Sequence, residues 1–256
     1  MENQSHPFNY DLNITYLPSK YPDADVMVCL HGYGGSGRII QKLRANHLIT
    51  DRLVGFNFPD AGIVDGQYDP HATTFGSIQE LLPAIYVIKQ TIDHYNLDTI
   101  NVYGFSAGGG ALVNLIAVLN GALYDSQLAS IGIAQEDKMR ILNAIQQGHV
   151  ILDCPLKSME EIIELHGHTY SMEVATQRYR INNLRPIDSL LGWQGLKLNV
   201  ILYFATPDEI IFNRDDELFI QRLKHVNHDG KTMIIQVDEG GHNTRHDAIW
   251  KALYQY

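Results

Sequence analysis

The sequence predicts an α/β domain in which helices cover both faces of a mainly parallel sheet. Short apolar runs typical of buried strands alternate with helical stretches along the 256 residues. Such alternation predicts parallel pairing, because parallel neighbours are joined by crossover helices. A length near 250 residues is compatible with one sheet of this kind. We therefore expect a single domain over residues 1–256.

The first strand is expected at the edge of the sheet and the later ones inside it. Large apolar residues recur at every second position from 8 to 16, which predicts a half-buried strand. The later runs are apolar throughout, a pattern typical of strands that are buried on both faces. These runs are 26–30, 53–58, 100–103, 150–152, 200–204 and 233–237. The clearest helical stretches are 77–95, 107–119, 136–147 and 246–254.

A helical insertion is expected over residues 155–183, after the strand that ends at Asp153. Ser158 and Glu161 have the spacing of a capping box ahead of an apolar run, which marks a helix start. An insertion at this place could lie over the carboxyl edge of the sheet as a small lid.

Composition excludes several classes of partner. The formal net charge is -10 and no basic run is present, which opposes binding to nucleic acid. No signal peptide and no stretch of about 18 apolar residues is found, so we expect no membrane span. Two cysteines, Cys29 and Cys154, give no disulfide framework and favour the cytoplasm.

The first motif with chemical meaning is G-x-S-x-G, centred on Ser106. It stands between the apolar run that ends at Tyr103 and the helix-forming series from Ala107. Small residues on both sides allow a sharp turn, which holds the serine hydroxyl clear of the sheet above a helix N-terminus. This context predicts a nucleophile.

An earlier apolar run leads directly into His31-Gly32-Tyr33-Gly34-Gly35. We assign an oxyanion hole to the backbone N–H groups of Tyr33 and Ala107; one such donor is typically worth about 3 kcal/mol in the transition state. Two alternatives remain open. The loop could be a tight turn without a ligand, or the run from Gly32 to Gly37 could be a G-x-G-x-x-G dinucleotide site with Asp60 on the ribose.

The acid and the base are each expected at the end of a later strand. Asp208 follows the run 200–204, and His242 follows a Gly-Gly pair after the run 233–237. Asp153 also ends a strand and remains the alternative acid. The chain order Ser106, Asp208, His242 is one that catalytic triads use on this kind of sheet.

The chain resembles the α/β-hydrolase superfamily over nearly its whole length, through the motifs LHGYGGSG, GFSAGG, TPDEII and GGH. The residues of these motifs are similar to those of its carboxylesterases and acyl-protein thioesterases. The resemblance implies an α/β-hydrolase fold and a serine hydrolase that cleaves a small-molecule carboxylic ester or thioester. It implies no cofactor. A ligand-binding or interaction protein that keeps the fold without turnover is the alternative.

Residues around the loops complete the prediction. Candidate substrate contacts are His31, Gly32, Gly34, Tyr68 and His71, the last two from a loop expected to wall the pocket. Paired histidines elsewhere lack a cysteine set or an HExxH pattern, so we predict no metal. The acyl group, the leaving group and the oligomeric state cannot be read from the sequence.

Overall fold

The computed structural model describes residues 7–8, 11–46, 49–58, 63–64, 67–68, 76–158, 160, 184–211, 215–238, 241–242 and 247–254, to which all structural statements below refer. No helix in this part of the chain is both long enough and apolar enough to cross a membrane.

Seven of the described strands form one sheet in the order β1-β3-β2-β6-β7-β8-β9. The first, β1, pairs antiparallel with β3, and every other pairing in this sheet is parallel. The strands are β1 (Thr15–Leu17), β2 (Val26–Leu30), β3 (Arg52–Gly55), β6 (Asn101–Phe105), β7 (His149–Asp153), β8 (Asn199–Ala205) and β9 (Lys231–Val237). A short antiparallel pair, β4 (Ile63–Val64) and β5 (Gln67–Tyr68), lies apart from it.

Helices cover both faces of the sheet, which confirms the predicted fold class. The buried residues of α1 (Ile39–Asn46) and α8 (Ala248–Tyr254) belong to one apolar core. The remaining helices are α2 (Ile78–Tyr95), α3 (Ala107–Asn120), α4 (Asp125–Ser130), α5 (Gln135–Gln147), α6 (Pro186–Ser189) and α7 (Asp216–Val226). Of these, α2, α3, α5 and α7 build most of the core on the opposite face.

The strand β2 shows why its sequence is apolar without alternation. Val26, Val28 and Leu30 face one core, whereas Met27 and Cys29 face the other. Successive side chains of a strand point to opposite faces, so a strand covered on both sides needs an apolar residue at every position.

The strand order places the functional site. The chain passes from β2 outward to β3, and the next strand of the sheet, β6, lies on the other side of β2. Loops after β2 and β6 therefore leave the sheet in opposite directions and open a crevice at their carboxyl ends, where ligands bind in open α/β sheets.

Two strand predictions were wrong in detail. Within the described residues the N-terminal strand begins only at Thr15, because Asn13 has a left-handed φ of 45° and its N–H donates to Asp11 Oδ1 at 2.8 Å, a local turn that interrupts the strand. Residues 9–10 of the predicted strand lie outside the described residues. The last strand, β9, is an edge strand, with Lys231, Met233 and Gln236 exposed. Of the predicted insertion over 155–183, only residues 155–158 and 160 are described, so the lid stays a prediction.

Candidate active site

Ser106 occupies a strained turn between β6 and α3. Its φ of 54° and ψ of -120° lie in a region that side chains rarely adopt. The strain is held by backbone hydrogen bonds on both sides: Ser106 N–H donates to the Asp153 carbonyl at 2.9 Å, and its own carbonyl accepts from Leu156 and Gly109, each at 2.9 Å. The turn presents a half-buried hydroxyl at the carboxyl edge of the sheet.

The two glycines of the motif are required by close packing. A Cβ on Gly104 would lie 2.6 Å from the Gly108 carbonyl oxygen, and one on Gly108 would lie 2.5 Å from the His31 carbonyl oxygen. Real Cβ contacts do not come this close, so β6, α3 and the loop after β2 could not approach each other with larger residues there. The G-x-S-x-G spacing thus serves the local geometry of the serine.

The loop after β2 is fixed by the buried side chain of His31. One ring nitrogen, Nδ1, lies 2.8 Å from the Gly32 carbonyl oxygen, and the other, Nε2, accepts the Phe58 N–H at 3.1 Å. Burial lowers the pKa of His31 and outweighs the opposing bond to Gly32, so the ring is neutral and donates from Nδ1. Both nitrogens are therefore used to hold the loop, and a contact of His31 with substrate stays a prediction.

This loop lies against the nucleophile. A Cβ built on Gly32 would be only 3.1 Å from Ser106 Cβ. Tyr33, the next residue, is 50% exposed, and Gly34 has a left-handed φ of 70° that favours glycine in the turn. The structure thus brings the predicted donor loop and the serine together.

Ala107 begins α3 beside Ser106. The first N–H groups of a helix have no acceptor within it and carry the positive end of its dipole. An oxyanion on the substrate would meet these groups, which suits the predicted role of the Ala107 and Tyr33 N–H groups. Both roles stay predictions.

The structure pairs the predicted acid with the predicted base. His242 Nδ1 lies 2.7 Å from Asp208 Oδ2, and both side chains are buried. The other carboxylate oxygen, Oδ1, accepts the N–H groups of Ile210 and Ile211 at 2.8 and 2.7 Å. Burial by itself raises the pKa of Asp208, but the bond to His242 and these two backbone bonds outweigh it, so the pKa lies below its usual range. Asp208 is therefore ionised and fixed in position.

Asp153, the alternative acid, has a different partner. Its carboxylate accepts a hydrogen bond from the Tyr103 hydroxyl and is buried below the serine turn. Because the structure joins Asp208 and not Asp153 to His242, it favours Asp208 as the residue that orients the imidazole.

His242 lies over the end of β6. Its ring centroid is 5.0 Å from that of Phe105, the residue before Ser106. The second ring nitrogen, Nε2, is buried and has no hydrogen-bond partner in the described part of the chain. With Nδ1 bonded to a carboxylate, Nε2 is left to face a reacting group.

Sequence reasoning missed Glu209. Its carboxylate oxygen Oε2 accepts the backbone N–H of His242 at 2.8 Å, while Asp208, the preceding residue, holds the side chain. A Cβ on Gly241 would lie 2.2 Å from the same oxygen, so only glycine lets the carboxylate approach there. No local signal marks this contact, because the two partners are 33 positions apart.

Three potential metal ligands come together at the same place. Ligand atoms of Cys154, Asp208 and His242 lie within 4.8 Å of one another, and all three residues are buried. Burial, reinforced by the Asp153 charge, strongly raises the pKa of the Cys154 thiol, so the thiol keeps its proton. The hydrogen bond between Asp208 and His242 accounts for two of the three residues without an ion, and the absence of a metal stays a prediction.

The loop motif has a packing explanation that competes with dinucleotide binding. A Cβ on Gly37 would lie 2.8 Å from the Phe56 nitrogen, and Gly37 N–H donates to Asn57 Oδ1 at 2.9 Å. Gly37, the last glycine of the G-x-G-x-x-G pattern, is thus needed for close packing against the end of β3. Asp60 and His71 lie outside the described residues, and for Tyr68 only the backbone, in β5, is described.

Comparisons with solved structures support the architecture. The carboxylesterase of Bacillus cereus matches with a TM-score of 0.55 and 14% identity, covering 96% of this chain and 94% of that one. Esterase B from Lactobacillus rhamnosis matches with a TM-score of 0.62 and 13% identity, covering 93% and 76%. A carboxylesterase from Lactobacillus plantarum matches with a TM-score of 0.55 and 18% identity, covering 90% and 79%. No protein-family model and no curated protein matches the sequence. At these identities the likeness concerns the fold, and the chain has the α/β-hydrolase fold.

Proposed function

We propose that this protein is a serine hydrolase that cleaves a carboxylic ester or thioester through an acyl-enzyme intermediate. The observation that carries the proposal is the buried Asp208–His242 pair, set over Phe105 beside the strained turn of Ser106. The burial of this pair, the negative charge of Asp208 and the chain order Ser106, Asp208, His242 all fit a nucleophile, a base and an orienting acid.

The hydrogen bonds define which nitrogen acts as base. Nδ1 donates to Asp208, so Nε2 carries the lone pair and can take the proton of the Ser106 hydroxyl. The serine oxygen then attacks the acyl carbon, while the N–H groups of Tyr33 and Ala107 hold the developing negative charge on the carbonyl oxygen.

Turnover requires three further proton transfers by the same imidazole. His242 gives its proton to the departing alcohol or thiol as the bond to the acyl carbon breaks. It next takes a proton from the water that attacks the acyl-enzyme, and it gives this proton to the Ser106 oxygen as the acid and the free serine are released. Throughout, the Asp208 carboxylate stabilises the protonated ring from 2.7 Å.

Fluorophosphonate labelling tests the proposal. Such probes react with activated serines, so we expect labelling of the wild type that is lost in Ser106→Ala. The control Ser36→Ala, which changes a half-buried serine in the loop after β2, should keep it. Paired p-nitrophenyl esters and matched thioesters then separate the two substrate classes. Folded wild-type protein that neither labels nor hydrolyses any of them would refute the proposal.

One observation favours a second candidate, a protein that binds a ligand on this fold without turnover. The Nε2 atom of His242 makes no hydrogen bond to Ser106 or to any other described residue. Catalytic hydrogen bonds are often loose without substrate, so the hydrolase remains the better supported function. Tight binding of an ester that is never cleaved would favour the second candidate.

A further inference from the structure

A small cavity lies along α3 and is lined by Ala107, the residue after the proposed nucleophile. Its volume is about 10 Å³, which is enough for one water-sized group. Four of its lining residues, Ala107, Gly110, Ala111 and Asn114, come from α3, and Glu80 lines it from α2. None of the mechanistic steps above uses this space.

The α3 wall follows helical periodicity away from Ser106. Positions 107, 110, 111 and 114 are spaced by three and four residues, so they lie on one face of the helix. Glycine and alanine at the first three leave the space open, and a Cβ on Gly110 would lie 2.6 Å from the Leu156 carbonyl oxygen. Ala107 contributes to the wall, so the cavity starts at the residue next to the reacting serine.

Two polar residues of the lining, Asn114 and Glu80, carry hydrogen-bond acceptors. Asn114 is 2% exposed, and its Nδ2 donates to the Leu184 carbonyl at 3.0 Å. Its Oδ1 is buried with no hydrogen-bond partner in the described part of the chain. Glu80, 8% exposed, places a second acceptor there, a carboxylate whose Oε2 also receives the Gly76 N–H at 2.9 Å. Buried acceptors are rarely left without a donor, so the site calls for one.

We propose that this cavity binds a hydroxyl group on the acyl part of the substrate, which donates its hydrogen bond to Asn114 Oδ1. The inference rests on the proposed hydrolase function and extends it to a substrate class, the esters of hydroxy acids. A hydroxyl matches the volume, supplies the missing donor and needs no charge. A methyl group of the same size would leave the buried carbonyl oxygen of Asn114 unpaired.

Helix geometry limits the length of the acyl chain. Seven residues separate Ala107 from Asn114, roughly 10 Å along the helix axis, and the Asn114 side chain leans back toward the N-terminus. Ala107 and Asn114 both line a space of only one group, so the hydroxyl lies within that distance of the reacting carbonyl. The substrate is therefore a short or medium-length hydroxyacyl ester.

The test compares pairs of methyl esters in which a methyl group replaces the hydroxyl. Suitable pairs are glycolate with propanoate, 3-hydroxybutanoate with 3-methylbutanoate, and 6-hydroxyhexanoate with heptanoate, followed by titration of the released acid. We expect kcat/KM of the wild type to favour the hydroxylated ester of at least one pair by roughly tenfold or more.

Variants on the same helix locate the effect. Asn114→Leu removes the acceptor and is expected to reduce the preference to within about twofold. Asn120→Leu is the matched control, because Asn120 also donates from α3 to backbone carbonyls, those of Gly192 and Gln194, but away from the cavity. It should leave the preference of the wild type in place.

The outcomes separate this inference from the function on which it rests. Hydrolysis that depends on Ser106 but shows no hydroxyl preference in any pair would overturn the inference and leave the hydrolase standing. The wild-type ratio alone decides this, even if Asn114→Leu fails to fold. Absence of Ser106-dependent hydrolysis for every ester would overturn both.

Discussion

Removing the Glu209 carboxylate should slow catalysis without weakening substrate binding. Glu209 does not contact Ser106 in the proposed mechanism; it accepts the backbone N–H of His242 at 2.8 Å and so sets the position of the base. Asp208 fixes the ring from one side while Glu209 fixes the backbone from the other. We expect Glu209→Ala to lower kcat and to leave KM nearly unchanged.

The size of the effect follows from the contact. A hydrogen bond to a charged group contributes about 1.5–3 kcal/mol, and the exposure of Glu209 to solvent reduces this to about 1 kcal/mol. Since about 1.4 kcal/mol corresponds to tenfold in rate, Glu209→Ala should lower kcat by roughly fivefold. Glu209→Gln keeps an acceptor oxygen and should recover most of this loss.

Steady-state kinetics on a p-nitrophenyl ester, with folding checked by circular dichroism, measures both constants. Glu217→Ala is the matched control: it removes an exposed glutamate that accepts one hydrogen bond, from Gln221, on α7. Gly241→Ala tests the same contact independently, because its Cβ would displace the Glu209 carboxylate. A rise in KM with kcat unchanged, or equal losses in the Ala and Gln variants, would refute the positioning role.

Three further predictions concern the acid, the loop and stability. Asp208→Asn should lower kcat by roughly 10⁴-fold in an ester assay, whereas Asp153→Asn keeps most of the activity; the reverse order would make Asp153 the acid. Gly32→Ala should lower kcat/KM by roughly tenfold, since the added Cβ would lie 3.1 Å from Ser106 Cβ. Full activity of this variant would show that the loop can move away from the serine. Burial raises the pKa of Asp51 despite its hydrogen bonds, so its contribution to the free energy of unfolding is full below about pH 3.9 and is lost as the pH rises through the folded value. Urea unfolding should therefore show the wild type losing stability relative to Asp51→Asn as the pH rises above about 4, and a constant difference would contradict the raised pKa.

Features that depend on the local chain were accessible from the sequence. The apolar run 26–30 predicts β2 to the residue, because a strand covered on both faces records its surroundings at every position. The serine turn is also marked locally: a Cβ on Gly104 would meet the Gly108 carbonyl oxygen, so this glycine is needed for a close approach within the turn itself. Such requirements leave a spacing that can be read without a structure.

Features that depend on the position of a strand in the sheet were less accessible. The run 233–237 is apolar like the inner strands, yet β9 lies at the edge with Met233 50% exposed. The composition of a strand does not show whether a second neighbouring strand pairs with its other edge. In the shortened β1 the side-chain alternation predicted more strand than the backbone forms. A single residue with a left-handed φ, Asn13, interrupts the strand.

The parts of the candidate site that escaped prediction share one property, which is that both partners come from distant parts of the chain. The carboxylate of Glu209 meets the backbone of His242, and the amide of Asn114 meets the carbonyl of Leu184, 70 positions away. In each case one partner is a backbone group, which every residue carries, so no residue type in the sequence marks the contact. The proposed triad could be anticipated because its members must be particular side chains in a particular order. The groups that position it and that shape its pocket had to be found in the folded structure, and it is on these groups that the specificity of a shared fold depends.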